Sequence, residues 1–354
     1  MIAELRSRES VHDTHTMQVH LIAIQAEILP DAYLTADAFR QRVLSLVELA
    51  VAGLPASAGT ARVIAFPEVF SLPLLFWLDT PDAVRRQRRA IDAAYQLLKA
   101  SWRDAFHCML QQRLLSPAVL YHLRGPRVWP IYEQVFRDAA RAAGAYVVAG
   151  SLFSPFIDWE PTRGYHVHGR GAYNLTAVFS PQGTLLARVP KLRLTPVELR
   201  SWLNAAQIAP QVITTAIGKI AILICLDAFH EALVEQTDAA GAWLLIQPSA
   251  NDARWDGPWP TDPRQVEGEV WLREGLAKKL VGRENLRYGI NPMLNGSLYE
   301  THFDGRSSIA KGGDYLALAQ RSTGDAIVRA EVQIDDLIAP CGSGARRFDA
   351  RCGP

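Results

Sequence analysis

The chain has few cysteines and almost no net charge. Its four cysteines, Cys108, Cys225, Cys341 and Cys352, lack the C-x-x-C spacing of many metal and redox sites. We therefore expect reduced thiols, a cytoplasmic location, no metal and no cofactor, although Cys341 and Cys352 could pair. The 37 lysines and arginines and the 36 aspartates and glutamates leave a net charge of +1. This balance gives no reason to expect a nucleic acid or a membrane as a partner.

Long apolar runs and linkers are also missing. No stretch approaches the about eighteen uninterrupted apolar residues that a membrane span needs. Because no Gly/Ser-rich or charged linker divides the 354 residues, we predict one large domain rather than two. Residues 1–17 are charged and lack the apolar segment of a secretory signal, so they are predicted to form a disordered tail. Met17 is a candidate for the native start.

Strand-like and helix-like segments alternate along the chain, which predicts a layered α/β protein. Strands are predicted at residues 20–25, 61–66, 146–150 and 243–247, and in a run that leads into Cys225. The predicted helices cover residues 36–52, 132–143, 231–240 and 270–284. A hairpin is predicted over residues 173–189, turning at Pro181-Gln182-Gly183, where proline presets φ and glycine accepts a positive φ.

Cys225 lies at a predicted strand-to-helix turn. The apolar run of residues 219–224 precedes it, and a helix-like stretch begins at Ala228. Free backbone N–H groups at such a turn favour a thiolate and can stabilise an oxyanion, so Cys225 is a candidate nucleophile. The alternative is that Cys225 is a small buried hydrophobe.

Two charged residues also follow strand-like runs. Glu68 comes after residues 61–67, and Lys191 ends the second strand of the predicted hairpin. Ligands of open α/β sheets gather at the carboxyl ends of strands, so we expect these side chains to converge with Cys225. Glu68 would accept the thiol proton and Lys191 would stabilise developing negative charge. The alternative for each is a solvated surface charge.

These residues belong to three short segments, Phe66-Pro67-Glu68, Pro190-Lys191-Leu192 and Ile224-Cys225-Leu226-Asp227. In this order they resemble the three signature motifs of the carbon–nitrogen hydrolase (nitrilase) superfamily. Further segments resemble family blocks at their expected places, at residues 147–151, 172–179, 180–183, 247–251, 283–285 and 304–308. The likeness implies one carbon–nitrogen hydrolase domain over roughly residues 18–338, a C-terminal tail over 339–354 and a four-layer αββα sandwich.

The resemblance also implies an activity. It is the hydrolysis of a nonpeptide C–N bond in a small-molecule substrate, with water as co-substrate, through a thioester on Cys225. Glu68 would be the general base, Lys191 would stabilise charge, and the N–H of Leu226 would be an oxyanion donor. Nitrile-cleaving members typically carry tryptophan and glutamate after the cysteine, so Leu226-Asp227 favours an amide or N-carbamoyl substrate. A nitrilase, an N-acyltransferase and a catalytically silent scaffold remain alternatives.

Three further positions have two interpretations each. Glu198 resembles the additional glutamate that many family members place near the lysine; it is otherwise an acid in the first turn of a helix after Pro196. Asp227 is predicted to cap the following helix. His166 and His168 have too few partners for a metal site and are predicted in a loop near the pocket entrance.

The remaining pocket and contact residues are predicted from their neighbourhood. Loops expected to border the site carry Trp77, Trp129, Tyr173, Asn251, Arg254 and Trp255, and the arginine would suit a substrate carboxylate. A helical insertion at about 72–130 either covers the pocket or forms a surface helix pair or subunit contact. The resemblance implies a homodimer or larger homo-oligomer, with contacts beyond Ile334 and along the helix after Cys225. On that helix the contact would use Ala232, Leu233, Ala239 and Ala240, unless they face the chain's own sheet.

Overall fold

The computed structural model describes residues 16–55, 60–114 and 116–335. Most of the predicted N-terminal tail and all of the C-terminal tail lie outside these residues, as do Cys341 and Cys352. Thr16 and Met17, which were predicted to belong to the tail, are instead the first residues of a strand. They pair with Asp335 and Ile334 near the end of the described chain.

The first sheet has nine strands, and its central strand is apolar on both faces. Alternate residues of this strand, such as Leu21 and Ile22, are completely buried in two different core clusters. Numbered in chain order over the whole molecule, the strands are β1 (Thr16–Ile28), β2 (Thr60–Ala65), β3 (Tyr146–Val148), β4 (Leu152–Glu160), β5 (Gly164–Phe179), β6 (Leu185–Pro190), β13 (Leu294–Leu298), β14 (Thr301–Phe303) and β17 (Ala326–Asp335). β1 runs parallel to β2 and β13 and antiparallel to β17.

The second sheet has six strands in the order β16-β15-β12-β9-β8-β7. β8, β9 and β12 are parallel neighbours, and the other strands pair antiparallel. The strands are β7 (Val212–Thr215), β8 (Gly218–Ile222), β9 (Leu244–Ile246), β12 (Tyr288–Asn291), β15 (Ser308–Lys311) and β16 (Asp314–Leu318). A separate two-stranded ribbon consists of β10 (Pro258–Trp259) and β11 (Asp262–Val266).

Three core clusters define the packing order. One contains residues of both sheets, such as Leu21 of β1 and Ile246 of β9, so the sheets pack face to face. The outer face of the first sheet packs on α1 (Ala36–Val51) and α6 (Val119–Ala143). The outer face of the second packs on α8 (Glu231–Ala239) and α10 (Leu276–Lys279). The predicted α/β class is confirmed, and this packing order is that of the αββα sandwich.

Several shorter helices complete the described chain, four of them inside the predicted insertion. They are α2 (Pro73–Trp77), α3 (Asp82–Arg85), α4 (Ala90–Ala100), α5 (Trp102–Gln112), α7 (Pro196–Arg200) and α9 (Glu267–Glu274), with 3-10 helices at Pro30–Tyr33 and Cys225–Phe229. Among the described residues, no helix is long and apolar enough to cross a membrane.

Two helix predictions were wrong in their bounds. Helix α6 starts at Val119 rather than at residue 132 and contains Pro126 and Pro130. Its face is buried against the first sheet, and this burial offsets the backbone hydrogen bonds that the prolines remove. The helix predicted over residues 270–284 is two short helices, α9 and α10, because the backbone leaves the helical conformation at Gly275, which has φ −81° and ψ −144°. Glycine suits this position, since an added Cβ would collide with the carbonyl oxygen of Trp271.

The predicted hairpin and the predicted helix α8 are both present. β5 and β6 pair antiparallel and turn at Gly183, which has φ +77°, so the hairpin is confirmed. On α8, Leu233 is buried in the core beneath the second sheet, so it faces the chain's own sheet rather than a partner. Ala232, Ala239 and Ala240 are exposed.

Candidate active site

The structure brings Glu68, Lys191 and Cys225 together at the ends of three strands. Glu68 follows β2, Lys191 follows β6 and Cys225 follows β8. The Nζ of Lys191 lies 2.7 Å from the Oε1 of Glu68, and the thiol of Cys225 lies beside the same carboxylate. The three residues are buried, with exposed fractions of 3%, 1% and 8%. Glu68 and Lys191 are therefore not the solvated surface charges of the alternative interpretation.

The backbone of Cys225 has an unusual conformation for a residue with a side chain. Its φ is +48°, and it begins a 3-10 helix three residues after the end of β8. Its N–H donates to the carbonyl of Pro248 at 2.8 Å, and the amide of Gln247 donates to its carbonyl at 3.2 Å. The N–H of Cys225 is thus paired, contrary to the prediction of free donors, and these bonds hold the thiol in place.

Glu198 lies beside Lys191 and also in the first turn of α7, so its two interpretations do not exclude each other. Its Oε2 lies 2.8 Å from the Nζ of Lys191, so this ammonium lies between two carboxylates. The same side chain accepts from the N–H of Thr195 at 2.9 Å, and the Thr195 hydroxyl accepts from the N–H of Glu198 at 3.3 Å. This is a capping box at the start of α7, and the T-x-x-E spacing is its sequence signal.

Asn174 is a site residue to which the sequence analysis gave no role. Its Nδ2 donates at 2.8 Å to both Glu68 and Glu198, and the residue is completely buried in β5. A polar side chain inside an apolar strand needs a buried partner, which is the signal that could have identified it. Asn174 fixes the distance between the two carboxylates.

Asp227 does not cap the following helix, so that prediction was wrong. Its carboxylate accepts the N–H groups of Leu192 at 3.1 Å and Arg193 at 2.6 Å. The residue that follows Leu226 therefore anchors the turn that follows Lys191. Burial raises the pKa of Asp227 to about 7, against the lowering effect of these N–H donors.

Burial shifts the pKa values of Glu68, Lys191 and Cys225. Burial raises the pKa of Glu68, against the lowering effect of Lys191, and it also raises the pKa of the Cys225 thiol. Burial alone would lower the pKa of Lys191, but the neighbouring Glu68, Cys225 and Glu198 raise it above its ordinary value. These directions favour the thiol form of Cys225, a more basic carboxylate at Glu68 and a charged ammonium at Lys191. The N–H of Ala250 holds the second oxygen of Glu68 at 3.0 Å.

A cavity of about 590 Å³ opens onto this cluster. Glu68, Lys191, Glu198 and Cys225 line it. Its wall is mostly apolar and includes Leu72, Phe76, Ile91, Tyr121, Phe153 and Phe303. Residues of the insertion thus contribute directly to the cavity, which is the first of the two interpretations of that segment.

The predicted aromatic pocket residues do not line this cavity. Trp129 is 1% exposed in the first-sheet core, and its indole N–H donates to Glu133 at 3.0 Å. The indole of Trp77 donates to the hydroxyl of Tyr299. The Tyr173 ring packs on Phe156 with centroids 5.2 Å apart. These large side chains stabilise the fold around the site instead of contacting its cavity.

The predicted pocket residues after β9 do not line the cavity either. Asn251 donates to the carbonyls of Ala253 and Asp304. Arg254 is exposed and pairs with Asp256 at 3.0 Å, so its guanidinium already has a carboxylate partner. The backbone N–H of Trp255 donates to Asp304 at 2.6 Å. Leu226 is half-buried beside Cys225, and its side chain is not part of the cavity wall.

His166 and His168 lie in a strand, so their prediction as a loop was wrong. They belong to β5 and pair with Asp158 and Phe156 of β4. His166 lies 3.5 Å from Glu160, and His168 lies 3.4 Å from Asp158. Within the described ranges, no group of three or more potential ligands could hold a metal ion.

Comparison with known proteins identifies the family. The model of the carbon–nitrogen hydrolase family matches residues 21–266, more than half of the chain. The chain belongs to the carbon–nitrogen hydrolase family. This confirms the resemblance of the three motifs.

Solved structures of carbon–nitrogen hydrolases have the same fold. The chain is similar to the enzyme from Helicobacter pylori G27, with a TM-score of 0.59, 15% identity and 90% coverage of both chains. A member of branch 10 of the nitrilase superfamily from Saccharomyces cerevisiae has a TM-score of 0.54, 18% identity and 91% and 92% coverage. An amidase from Nesterenkonia sp. has a TM-score of 0.53, 17% identity and 91% coverage of both chains.

One human protein is similar in sequence over part of its length. It is deaminated glutathione amidase, 27% identical over 143 residues. The aligned region covers 38% of this chain and 41% of the human protein. The chain thus matches less than half the length of this relative.

Proposed function

We propose that this carbon–nitrogen hydrolase cleaves an amide or N-carbamoyl C–N bond through a thioester on Cys225. The observation that carries the proposal is the contact of Cys225 and Lys191 with one buried carboxylate, Glu68, at a cavity. A nucleophile and a cation beside one base are the parts that acyl transfer requires.

The first half of the reaction forms the thioester. Glu68 accepts the proton of the thiol while Sγ of Cys225 bonds to the carbonyl carbon, whose oxygen becomes an oxyanion. Two of the three N–H donors of Lys191 are used by Glu68 and Glu198, which leaves one for this oxyanion. The N–H of Leu226 is the second proposed donor. Glu68 then protonates the leaving nitrogen, the C–N bond breaks, and ammonia or an amine departs.

The second half hydrolyses the thioester. Water loses a proton to Glu68 and attacks the acyl carbon, and the second oxyanion is stabilised by the same donors. Collapse of this intermediate breaks the C–S bond, and the proton on Glu68 returns to the sulfur. An acid leaves and the thiol is regenerated. Glu198 and Asn174 position Lys191 and Glu68 throughout, through their 2.8 Å contacts.

An amide is favoured over a nitrile for two reasons. Leu226-Asp227 replaces the tryptophan and glutamate that are typical after the cysteine of nitrile-cleaving members. Two of the proteins to which the chain is similar are named amidases, the Nesterenkonia enzyme and human deaminated glutathione amidase. Both similarities support the proposal without identifying a substrate.

The test is the release of ammonia and a carboxylic acid from a panel of amides, ureides and nitriles. We expect acid from amides or ureides with the unmodified protein and with Cys108→Ala, which removes the other described free thiol. Cys225→Ala should release none. Turnover that survives Cys225→Ala would refute the thioester route, and turnover of nitriles alone would favour a nitrilase.

We also propose that the chain forms a homodimer or larger assembly. Because Leu233 is buried, we no longer propose it as part of the contact between subunits. The contact would instead use the exposed face of α8 or the segment after Ile334. Light scattering should give at least twice the 39.1 kDa of one chain. A mass of one chain at micromolar concentration would contradict the proposal.

A further inference from the structure

The cavity has a polar inner end and an apolar wall. Leu72, Phe76, Phe153 and Phe303 line the wall and expose 9% or less of their surface, so together they form a packed apolar lining. Tyr121 also lines it, but its hydroxyl already donates to the carbonyl of Ser201 at 3.0 Å. A polar acyl group placed against this wall would lose water without gaining a hydrogen bond.

The charges lining the cavity cancel outside the catalytic cluster. Arg89 and Arg200 are exposed cations, and Asp252 and Glu300 are exposed carboxylates. Two charges of each sign give no net attraction for an ionised substrate. One of the carboxylates is also engaged, because Glu300 accepts the N–H of Ala90 at 2.7 Å.

The insertion that provides much of the wall is fixed to the rest of the domain. Leu72, Phe76, Ile91 and Tyr121 all belong to the predicted insertion, at about residues 72–130. The bond from Ala90 to Glu300 attaches the start of α4, and the bond from Tyr121 to Ser201 attaches the start of α6 to the turn after α7. The apolar wall is therefore a built surface that is attached to the rest of the domain.

We propose that the substrate is a neutral amide whose acyl part is an alkyl or arylalkyl group, held against the insertion wall. This inference rests on the proposed amide hydrolysis and names its substrate class. Burial of each methylene is worth about 0.8 kcal/mol, which is roughly a fourfold gain in affinity. A cavity of about 590 Å³ is within the size range of small-molecule sites and leaves room for such a group beyond the scissile amide.

Binding to the Cys225→Ala variant tests the class without turnover. Calorimetry should give affinities that increase roughly fourfold per methylene from propanamide to hexanamide, with 3-phenylpropanamide also tight. Succinamate, which places a carboxylate where butanamide has a methyl group, should bind at least about tenfold more weakly than butanamide. Succinamate binding as tightly as butanamide, or a flat series, would overturn the inference.

A pair of variants on one helix locates the site. Ile91→Asp puts a carboxylate into the wall and should weaken hexanamide binding at least about tenfold. Leu98→Asp makes the same change on α4 outside the cavity lining and should leave binding unchanged. Equal effects of the two variants on hexanamide binding would contradict the insertion wall as the binding site. If Ile91→Asp does not fold, the amide series still tests the proposed substrate class. Selective binding with no turnover by the unmodified protein would refute the hydrolase proposal alone.

Discussion

The proposed catalytic cluster and the helical insertion are built in different ways. Glu68, Lys191 and Cys225 come from chain segments far apart in sequence, and hydrogen bonds hold each of them. The insertion is one continuous stretch that contributes apolar side chains to the cavity and is tied at Ala90 and Tyr121. A substitution in the cluster breaks hydrogen bonds to its other members, whereas a substitution in the apolar wall changes one side chain without breaking such bonds. We infer that the first region determines the reaction and the second determines the substrate.

The largest effect is expected from removing the nucleophile. Cys225→Ala should lower turnover by more than about a thousandfold, because Cys225 is the only cysteine among the described residues that line the cavity. The fold should remain, since alanine and cysteine both carry a Cβ and therefore have a similar backbone strain at φ +48°. Circular dichroism and thermal melting check the fold, and a loss of folding would show that Cys225 has a structural role instead.

The next largest effect is expected at Lys191. Lys191→Ala should lower kcat by at least about a hundredfold, because it removes an oxyanion donor. It also leaves two buried carboxylates without their cation, so rates must be normalised to folded protein. Lys219→Ala is the matched control, since its exposed ammonium donates to the carbonyl of Ala240 and does not line the described cavity. A nearly normal rate for Lys191→Ala would remove this residue from the mechanism.

Asp227 connects the cysteine turn to the lysine turn and should have an intermediate effect. Asp227→Asn keeps the size but loses one of the two acceptors for Leu192 and Arg193, so Lys191 should shift. We expect kcat to fall roughly tenfold with little change in substrate binding. A change in KM alone would contradict this positioning role, as would equal rates for the variant and the unmodified protein.

The smallest predicted effect is that of pH on activity near neutrality. Only ionised Glu68 can accept the thiol proton, and its pKa is raised above 4.5 by burial. Activity is therefore lost as pH falls through this raised pKa, and the acid limb of kcat/KM should have its midpoint above 4.5. The pKa of Lys191 is held above 10.5, so its deprotonation should cause no loss below that pH. An acid midpoint below 4.5 would contradict Glu68 as the base.

The convergence of the three residues of the proposed catalytic cluster could be predicted because its signals are local. Glu68, Lys191 and Cys225 each lie just after an apolar run, and strand ends converge in this class of fold. Asn174 and Asp227 could not be assigned from sequence because their partners are remote in the chain. Asn174 bridges carboxylates 106 and 24 residues away, and Asp227 contacts a turn about 35 residues earlier.

The pocket was harder to predict than the cluster. Trp129 and Tyr173 were expected at the cavity because they are large aromatics near it in sequence. Such side chains pack equally well in a core, and only the direction of the helix or strand decides between the two. The start of α6 was missed for a similar reason, since Pro126 and Pro130 are local breaking signals that tertiary burial overrides.

The most direct test of the central claim is mass spectrometry of the Cys225 peptide after rapid quenching with a reactive amide or ureide. The account predicts a mass increase equal to the acyl group on Cys225 in the unmodified protein. Cys108 should carry no such increase, and the adduct should disappear as product accumulates. Measurable turnover with no adduct at any quench time, or an adduct on another residue, would contradict the thioester mechanism.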